Sequence, residues 1–245
     1  MKLLLLALAL CLLMIDSAIE LALISSMVGY LHVSGANQYP FLLNDGTSHL
    51  INAKPHGLLL NQGHTSNGAA GSSLVLICFG GAIVLWLQHR EDRRNSTRRA
   101  SPLFLGYTVL TILCTLLTLA ALAYTFAVTN QTKGQSIDKV LAAQTQGHAY
   151  PKDKWTPETW TKALLAMPVT SRGDRHYLQY WLRIMDGWKW NLIPMFLINI
   201  LVSSLFTLTY FQRRRLSANN YKSGVWEDID ISGRDVEVFS AERPI

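Results

Sequence analysis

The chain has 245 residues, of which 49% are hydrophobic and only 16% are charged, and its formal net charge is +6. Average soluble proteins carry about 25% charged residues, and here the deficit comes from four long apolar runs. The composition therefore excludes an ordinary soluble domain. Because the basic blocks lie beside apolar runs, they are typical of membrane anchors, and we expect no nucleic-acid partner.

Four transmembrane helices are predicted, because each apolar run is about 20 residues or longer, which is enough to cross a bilayer. The predicted segments, in chain order, are transmembrane helix 1 at 1–31 (or a signal peptide or anchor), outer loop 1 at 32–68, transmembrane helix 2 at 69–88, a basic cytoplasmic loop at 89–102, transmembrane helix 3 at 103–128, outer loop 2 with short helices at 129–191, transmembrane helix 4 at 192–211 and a cytoplasmic tail at 212–245. The predicted fold is all-α: an integral membrane four-helix bundle with a small extracellular or lumenal helical cap.

The first apolar run has two interpretations. Met1 and Lys2, followed by the apolar stretch 3–15, resemble the start of a signal peptide that would be cleaved after Ser17. The apolar character resumes at Leu21, however, and this favours an uncleaved span. Both interpretations place the loop that begins at residue 32 on the outer side.

Basic residues near the span ends predict the orientation. Five arginines lie within residues 89–101, and three more, at 213–215, follow the fourth span directly. Such clusters stay in the cytoplasm, where they also attract anionic lipid. The lysines and arginines of loop 129–191 lie mostly far from the span ends, where they have little influence. We therefore expect an integral protein of the plasma membrane or an endomembrane, with both termini cytoplasmic.

Two acidic residues, Asp16 and Glu20, interrupt the first span one helical turn apart. A charge at the centre of a bilayer costs about 2.5–3.5 kcal/mol on insertion scales, so it usually has a partner or a function. Other polar side chains are predicted at a similar depth, so a single intramembrane polar core is expected. Its candidate members are Asp16, Glu20, Thr115, Thr118 and Asn199. One hypothesis is interhelical hydrogen bonding with protonated acids, and the other is a proton or cation site.

The second outer loop contains helix signals. Thr156 is a good N-cap, Pro157 fits the first helical position, and Trp155 and Trp160 have the spacing of a hydrophobic staple. A second segment, 174–187, places aromatic residues on one stripe that leads into span four. The outer histidines match no zinc-binding spacing, so neither a metal nor a cofactor is predicted.

Short motifs suggest modification sites. Three Arg-Arg-x-Ser sequences on the cytoplasmic side look like kinase sites at Ser96, Ser101 and Ser217, but topogenic arginines with serines beside them by chance are the favoured interpretation of these short motifs. Asn130 begins an outer glycosylation sequon, close to the membrane.

Four spans with both termini inside are similar to the topology of tetraspanins, claudins and the fungal Sur7-like proteins. Cysteines in an outer loop mark those families, whereas Cys11, Cys78 and Cys114 here all lie in apolar runs, so no family is assigned. No phosphate-binding loop, nucleophile elbow or paired metal-binding histidines are present, and we expect no enzyme. The leading hypothesis is a membrane organiser or partner-binding protein, whose partner is an unknown protein or a second copy of the chain. The alternative is a small proton- or cation-linked transporter, channel or channel subunit that uses Asp16 and Glu20.

Overall fold

The computed structural model describes residues 2–94 and 101–240, and the side chains of residues 4–93 and 101–216. The fold is mostly helical, at 75%. The elements are α1 (Lys2–Val33), β1 (Gln38–Leu42), β2 (Ser48–Asn52), α2 (Asn61–Ser72), a π-helical segment (Ser73–Phe79), α3 (Gly80–Arg94), α4 (Pro102–Gln131), α5 (Lys139–Gln144), α6 (Pro157–Ala166) and α7 (Arg172–Ser240).

Among the residues that the structure describes, four helical stretches are long and apolar enough to cross a membrane, which confirms this part of the prediction. They are Leu4–Val33, Asn61–Arg93, Pro102–Gln131 and Arg172–Leu216. The second stretch combines α2, the π-helical segment and α3. The fourth begins at Arg172, well before the apolar run at 192–211, because no helix-breaking residue separates the aromatic stripe of 174–187 from that run.

The spanning helices bury a shared apolar core. Helix α7 packs against both α1 and α4, and α1 also packs against α2 and the π-helical segment. Leucines of α1, including Leu6, Leu10 and Leu13, lie in this core with Phe104 and Phe206. The opposite faces of the same helices remain exposed and are lined with leucine, isoleucine and valine. Exposed aliphatic faces of this kind are what a lipid environment requires.

The segments between the helices form a polar domain, which we define as residues 34–60 and 132–171. It lies at the end of the helices where α1 ends and α2 begins. Strands β1 and β2 form an antiparallel hairpin that the sequence analysis did not include. Its turn places Gly46 at φ +82°, a left-handed conformation that favours glycine, and Asp45 accepts a 2.9 Å hydrogen bond from the backbone amide of Thr47.

An aromatic core holds the two parts of the polar domain together. The rings of Trp155 and Trp160 lie 5.1 Å apart, and Tyr150 packs 5.7 Å from Trp160. The indole of Trp160 donates a 2.7 Å hydrogen bond to the backbone carbonyl of Ala53 in the other segment. Backbone bonds between Gly57 and Trp155, and between Leu59 and Trp155, add to this connection. Both loops therefore belong to one folded unit.

Helix α6 begins as its sequence predicts. The Thr156 side chain accepts a hydrogen bond from the backbone amide of Thr159, and the Thr159 hydroxyl accepts one from the amide of Thr156. Pro157 occupies the first turn, and Trp155 contacts Trp160 as the staple requires. The N-cap and staple predictions are confirmed, with Thr159 taking the capping-box position that is usually Glu or Gln.

The aromatic stripe at the start of α7 packs against α1. Met185 and Trp188 are buried with Met27 and Tyr30, and the ring of Trp181 stacks on Tyr30 at 4.6 Å. This contact fixes α7 beside the last turns of α1. Further along the two helices, the same packing brings Asn191 of α7 beside Asp16 and Glu20 in the middle of α1.

Candidate functional site

Asp16 and Glu20 lie on the face of α1 that contacts α7. Glu20 is fully buried, and Asp16 is 9% exposed. Residues four apart share a helical face, so both carboxyl groups point towards the same neighbour. That neighbour contributes Asn191, whose side-chain amide donates a 3.0 Å hydrogen bond to Glu20 Oε2 and lies 3.5 Å from the backbone carbonyl oxygen of Asp16.

Each acid keeps one oxygen without a partner. Asp16 Oδ2 and Glu20 Oε1 are buried and accept no hydrogen bond, and within the described residues neither carboxyl forms an ion pair with a lysine or arginine. A buried charged carboxylate without a counter-charge is strongly unfavourable, so a proton or a cation must neutralise it. Chemically, the pair and Asn191 can hold a proton or coordinate a cation through oxygen atoms.

A proline lies next to this site. Pro194, three residues after Asn191, is inside helix α7. It has no backbone N–H to donate to the carbonyl of Trp190, and so it weakens the helix at that turn. Helix α7, whose Asn191 donates to Glu20, therefore lacks one backbone hydrogen bond at this turn.

A second polar group joins the π-helical segment, α4 and α7. The side-chain amide of Asn199 donates to Ser73 Oγ at 3.2 Å and to the carbonyl of Met195 at 3.0 Å. The Thr115 hydroxyl donates to the backbone carbonyl of Asn199 at 3.2 Å, and Ser73 Oγ lies 3.4 Å from Cys114 Sγ. None of these side chains is among the buried polar atoms that lack a hydrogen-bond partner in the described residues, so this group stabilises helix packing in the manner of interhelical hydrogen bonds.

The two polar groups are separate. Asn191 and Asn199 are eight residues apart on α7, which corresponds to about 12 Å along a helix. In the part of the chain with described side chains, no hydrogen bond connects the acid pair to Asn199 or Thr115. Thr118 is buried and donates to the carbonyl of Cys114 in its own helix. The predicted residues thus lie in two groups at two depths instead of one polar core.

Asn191 is not among the predicted partners of the acids, because it precedes the apolar run 192–211 and the sequence pattern places it at the end of the outer loop. The missed signal was the uninterrupted helical stripe from 174 onward, which extends the helix upstream and places Asn191 beside α1.

The opposite end of the molecule carries an ion pair. Arg213 binds Asp92 through two hydrogen bonds of 2.8 Å and is 8% exposed. Arg214 and Arg215 are exposed. One of the three arginines at 213–215 therefore connects α7 to α3, while the other two remain available to solvent or to lipid headgroups.

The predicted modification sites have different surroundings. Ser101 is the N-cap of α4, where its hydroxyl oxygen accepts a hydrogen bond from Phe104 N at 3.2 Å. Ser96 and the side chain of Ser217 lie outside the described residues. Asn130 is exposed in the last turn of α4, with its side chain beside the polar domain. A phosphate on Ser101 would lie at a helix N-terminus, where negative charge is favourable.

A cluster of four charges lies where the polar domain meets α7. Glu158, 4% exposed, accepts hydrogen bonds from Lys162 at 2.5 Å and from Lys189 at 2.6 Å, and Asp186 lies 3.4–3.5 Å from both lysines. Partial burial by itself lowers the pKa of Lys162. The hydrogen bond and negative charge of Glu158, together with Asp186, outweigh burial and raise the pKa of Lys162 above its usual value.

The histidines of the polar domain do not converge. Within residues 2–94 and 101–240, no group of three or more His, Cys, Asp or Glu side chains is placed to hold a metal ion. His49 bonds Thr47 Oγ1 at 3.0 Å within its own hairpin.

Comparison of the chain with protein-family models, with curated proteins and with solved structures gives no match.

Proposed function

We propose that this chain is a non-enzymatic integral membrane protein that binds a partner protein through its polar domain. In this proposal the four spanning helices form a bundle, both termini are cytoplasmic, and the polar domain is extracellular or lumenal. The observation that carries the proposal is the shared aromatic core, in which Trp155 and Trp160 join the two loops into one unit. A domain with its own core presents a fixed surface, which specific recognition requires.

The β-hairpin supplies the surface on which this proposal concentrates. Tyr39, Phe41 and Ile51 point into the core, and Leu42 and Leu50 point away from it, with exposed fractions of 39% and 42%. Leu42 lies diagonally across from Leu50 in the strand register. Two adjacent exposed leucines on the surface of the domain are a suitable centre for a small interface.

Site-specific crosslinking tests this surface. A photoreactive residue placed at Leu42 of the full-length chain in native membranes is expected to give one crosslinked product of defined mass. The substitution L50S should abolish that product because it removes the neighbouring apolar side chain. The matched control is V140S, since Val140 is an equally aliphatic, 59% exposed residue of α5 on another part of the domain. If L50S and V140S behave alike, the hairpin is not the binding surface.

The mass of the product identifies the class of partner. A product of twice the chain mass indicates a homo-oligomer, and any other mass indicates a different protein. Anionic lipid at the cytoplasmic face is a second partner in this proposal, with the exposed Arg214 and Arg215 as its contacts.

The acid pair supports a second candidate function, a proton- or cation-linked transport protein or a subunit of one. The supporting observation is that Asp16 Oδ2 and Glu20 Oε1 are buried without hydrogen-bond partners. Flux measured in liposomes discriminates between the two candidates. If the protein is a transporter, the double substitution D16N/E20Q abolishes a pH- or cation-dependent flux. The control E91Q, at an exposed glutamate of α3, leaves the flux unchanged. Under partner binding, D16N/E20Q leaves crosslinking from Leu42 unchanged.

A further inference from the structure

A cavity of about 910 Å³ lies where the polar domain meets the spanning helices. Its walls are the last turn of α4 with the segment that follows, one face of α6, and the α7 turn that carries Asp186 and Lys189. Cavities of roughly 300–1,000 Å³ are the usual size of small-ligand sites. The volume is therefore sufficient for a lipid headgroup and the glycerol to which it is attached.

The position of the cavity is that of a membrane interface. Phe126 and Trp190 form its apolar floor, with ring centroids 5.3 Å apart and ring planes nearly perpendicular. Trp190 is 56% exposed on the outside of the helices. Tryptophans at such a position are typical of the headgroup level of a bilayer. An acyl chain could leave the cavity beside these rings and enter the surrounding lipid.

The charge of the cavity is positive. Two of its lysines, Lys162 and Lys189, are balanced by Glu158 and Asp186 in the four-charge cluster. Lys133 and Lys139 also line the cavity, and neither makes an ion pair with any described residue. Two unbalanced ammonium groups favour a ligand with at least one negative charge.

The cavity also contains an unsatisfied hydrogen-bond acceptor. Gln135 lines it, and the side-chain oxygen Oε1 of Gln135 is buried without a hydrogen-bond partner. A buried acceptor is stabilised by a donor, which a hydroxyl or ammonium group of a ligand can supply. The chemistry of the walls therefore matches a phosphate ester that carries a hydrogen-bond donor and an apolar part.

We propose that this cavity binds the phosphate-bearing headgroup of a membrane phospholipid, with Lys133 and Lys139 at the phosphate and Gln135 at a headgroup donor. The apolar floor receives the start of the acyl chains. This site is distinct from the leucine surface of the hairpin and from the acid pair, and it can be present whether the protein binds partners or transports ions.

Binding to the purified full-length chain in detergent tests the proposal. The probes are dioctanoyl phosphatidylglycerol, glycerol phosphate and dioctanoylglycerol, which separate the contributions of phosphate and acyl chains. Phosphatidylglycerol is expected to bind most tightly. The double substitution K133Q/K139Q should weaken its binding by about tenfold or more, since each lysine near a lipid phosphate adds to the affinity. The control K152Q/K154Q removes the same charge from exposed lysines outside the cavity and should have no effect.

A substitution that changes the volume of the cavity, and not its charge, tests the site independently of electrostatics. Ala166 is exposed at the end of α6 and lines the cavity, so A166W narrows the cavity without altering a charged group. It should weaken phosphatidylglycerol binding in a protein whose thermal unfolding is unchanged.

Each outcome bears on the proposal. Glycerol phosphate binding as tightly as the lipid would overturn a membrane source and assign the cavity to soluble phosphate esters. Equal binding of dioctanoylglycerol would overturn the role of the phosphate. Equal losses in K133Q/K139Q and K152Q/K154Q would show that net charge, not the cavity, attracts the lipid, and would overturn the site.

Discussion

Asn191 is hydrogen-bonded to the carboxyl group of Glu20 and lies beside the backbone of Asp16. Within the described residues, its amide is the hydrogen-bond donor to the Glu20 carboxyl, and the remaining oxygens Asp16 Oδ2 and Glu20 Oε1 have none. This site has buried oxygens without hydrogen bonds, whereas the group around Asn199, which Ser73 and Thr115 contact, has no buried side-chain atom of that kind within the described residues. This difference separates a candidate binding site from contacts that only pack the helices together.

The substitution N191L should destabilise the protein by about 1–3 kcal/mol, because it leaves a buried carboxyl without its donor. The same substitution made together with E20L should add almost nothing to the loss from E20L alone, since the acceptor is then absent. Unfolding in mixed detergent micelles measures both values. If the two losses are simply additive, the Asn191–Glu20 contact does not contribute to stability.

The bidentate ion pair between Arg213 and Asp92 gives a second prediction. R213A should lower the free energy of unfolding by about 1.5–3 kcal/mol, the usual range for hydrogen bonds to a charged group. R214A is the matched control, because Arg214 is exposed and adjacent. The same detergent titration measures all the variants, and equal effects of R213A and R214A would contradict the structural role of the pair.

The close packing of α1, α3 and α4 depends on the small residue Gly81. A Cβ atom added to Gly81 would lie 2.6 Å from the Tyr107 hydroxyl and 2.8 Å from Leu10 Cδ1. Both neighbours are buried, and Tyr107 also donates a short hydrogen bond to the carbonyl of Ile77. The side chains therefore have little room to move.

G81A is accordingly expected to destabilise the protein by about 1–3 kcal/mol through overpacking. The control is G106A, because a Cβ at Gly106 in α4 meets no atom within 4 Å. Replacing a helical glycine by alanine without a clash usually stabilises by about 0.5–1 kcal/mol. We expect G81A to lower the thermal unfolding temperature and G106A to raise it. If G81A leaves that temperature unchanged, Leu10 and Tyr107 can shift to accommodate the added methyl group.

The packing of α1 leads us to expect that residues 1–17 remain in the mature protein. Leu6 and Leu13 of α1 are fully or almost fully buried against the other spanning helices. Cleavage after Ser17 would expose the surfaces that they cover. We expect the intact mass of the protein, purified from its native membrane, to include residues 1–17. A mass that begins near residue 18 would contradict this expectation and remove Asp16 from the mature protein.

The sequence predicts some elements much better than others, for physical reasons. The spans were predictable because bilayer thickness imposes long apolar runs, and Asp16 and Glu20 stood out because charges are rare within them. The hairpin was missed although Asp45-Gly46 is a turn signal, since its short strands contain few alternating apolar residues. The cavity and the partnership of Asn191 with Glu20 depend on contacts between distant segments, which local patterns do not encode.

The folding of the polar domain requires contacts between its two loops, 34–60 and 132–171. Trp155 is fully buried between them, and its backbone bonds residues Gly57 and Leu59 of the first loop. Loss of this side chain should therefore open the domain while the spanning helices, which have a separate core, remain packed. Because the two cores are separate, the polar domain can unfold while the spanning helices stay packed.

The substitution W155A should cost about 3–5 kcal/mol in the polar domain, as expected for a buried tryptophan. Limited proteolysis of native vesicles, first sealed and then opened with detergent, measures the effect. The variant should be cut rapidly within 34–60 and 132–171, and W86A should not, because Trp86 is 59% exposed on the side of α3. Cutting from only one side of the membrane also reports which side carries the domain. If W155A resists protease as well as the unaltered chain does, the two loops do not depend on a shared core, and the fixed surface on which partner binding rests is lost.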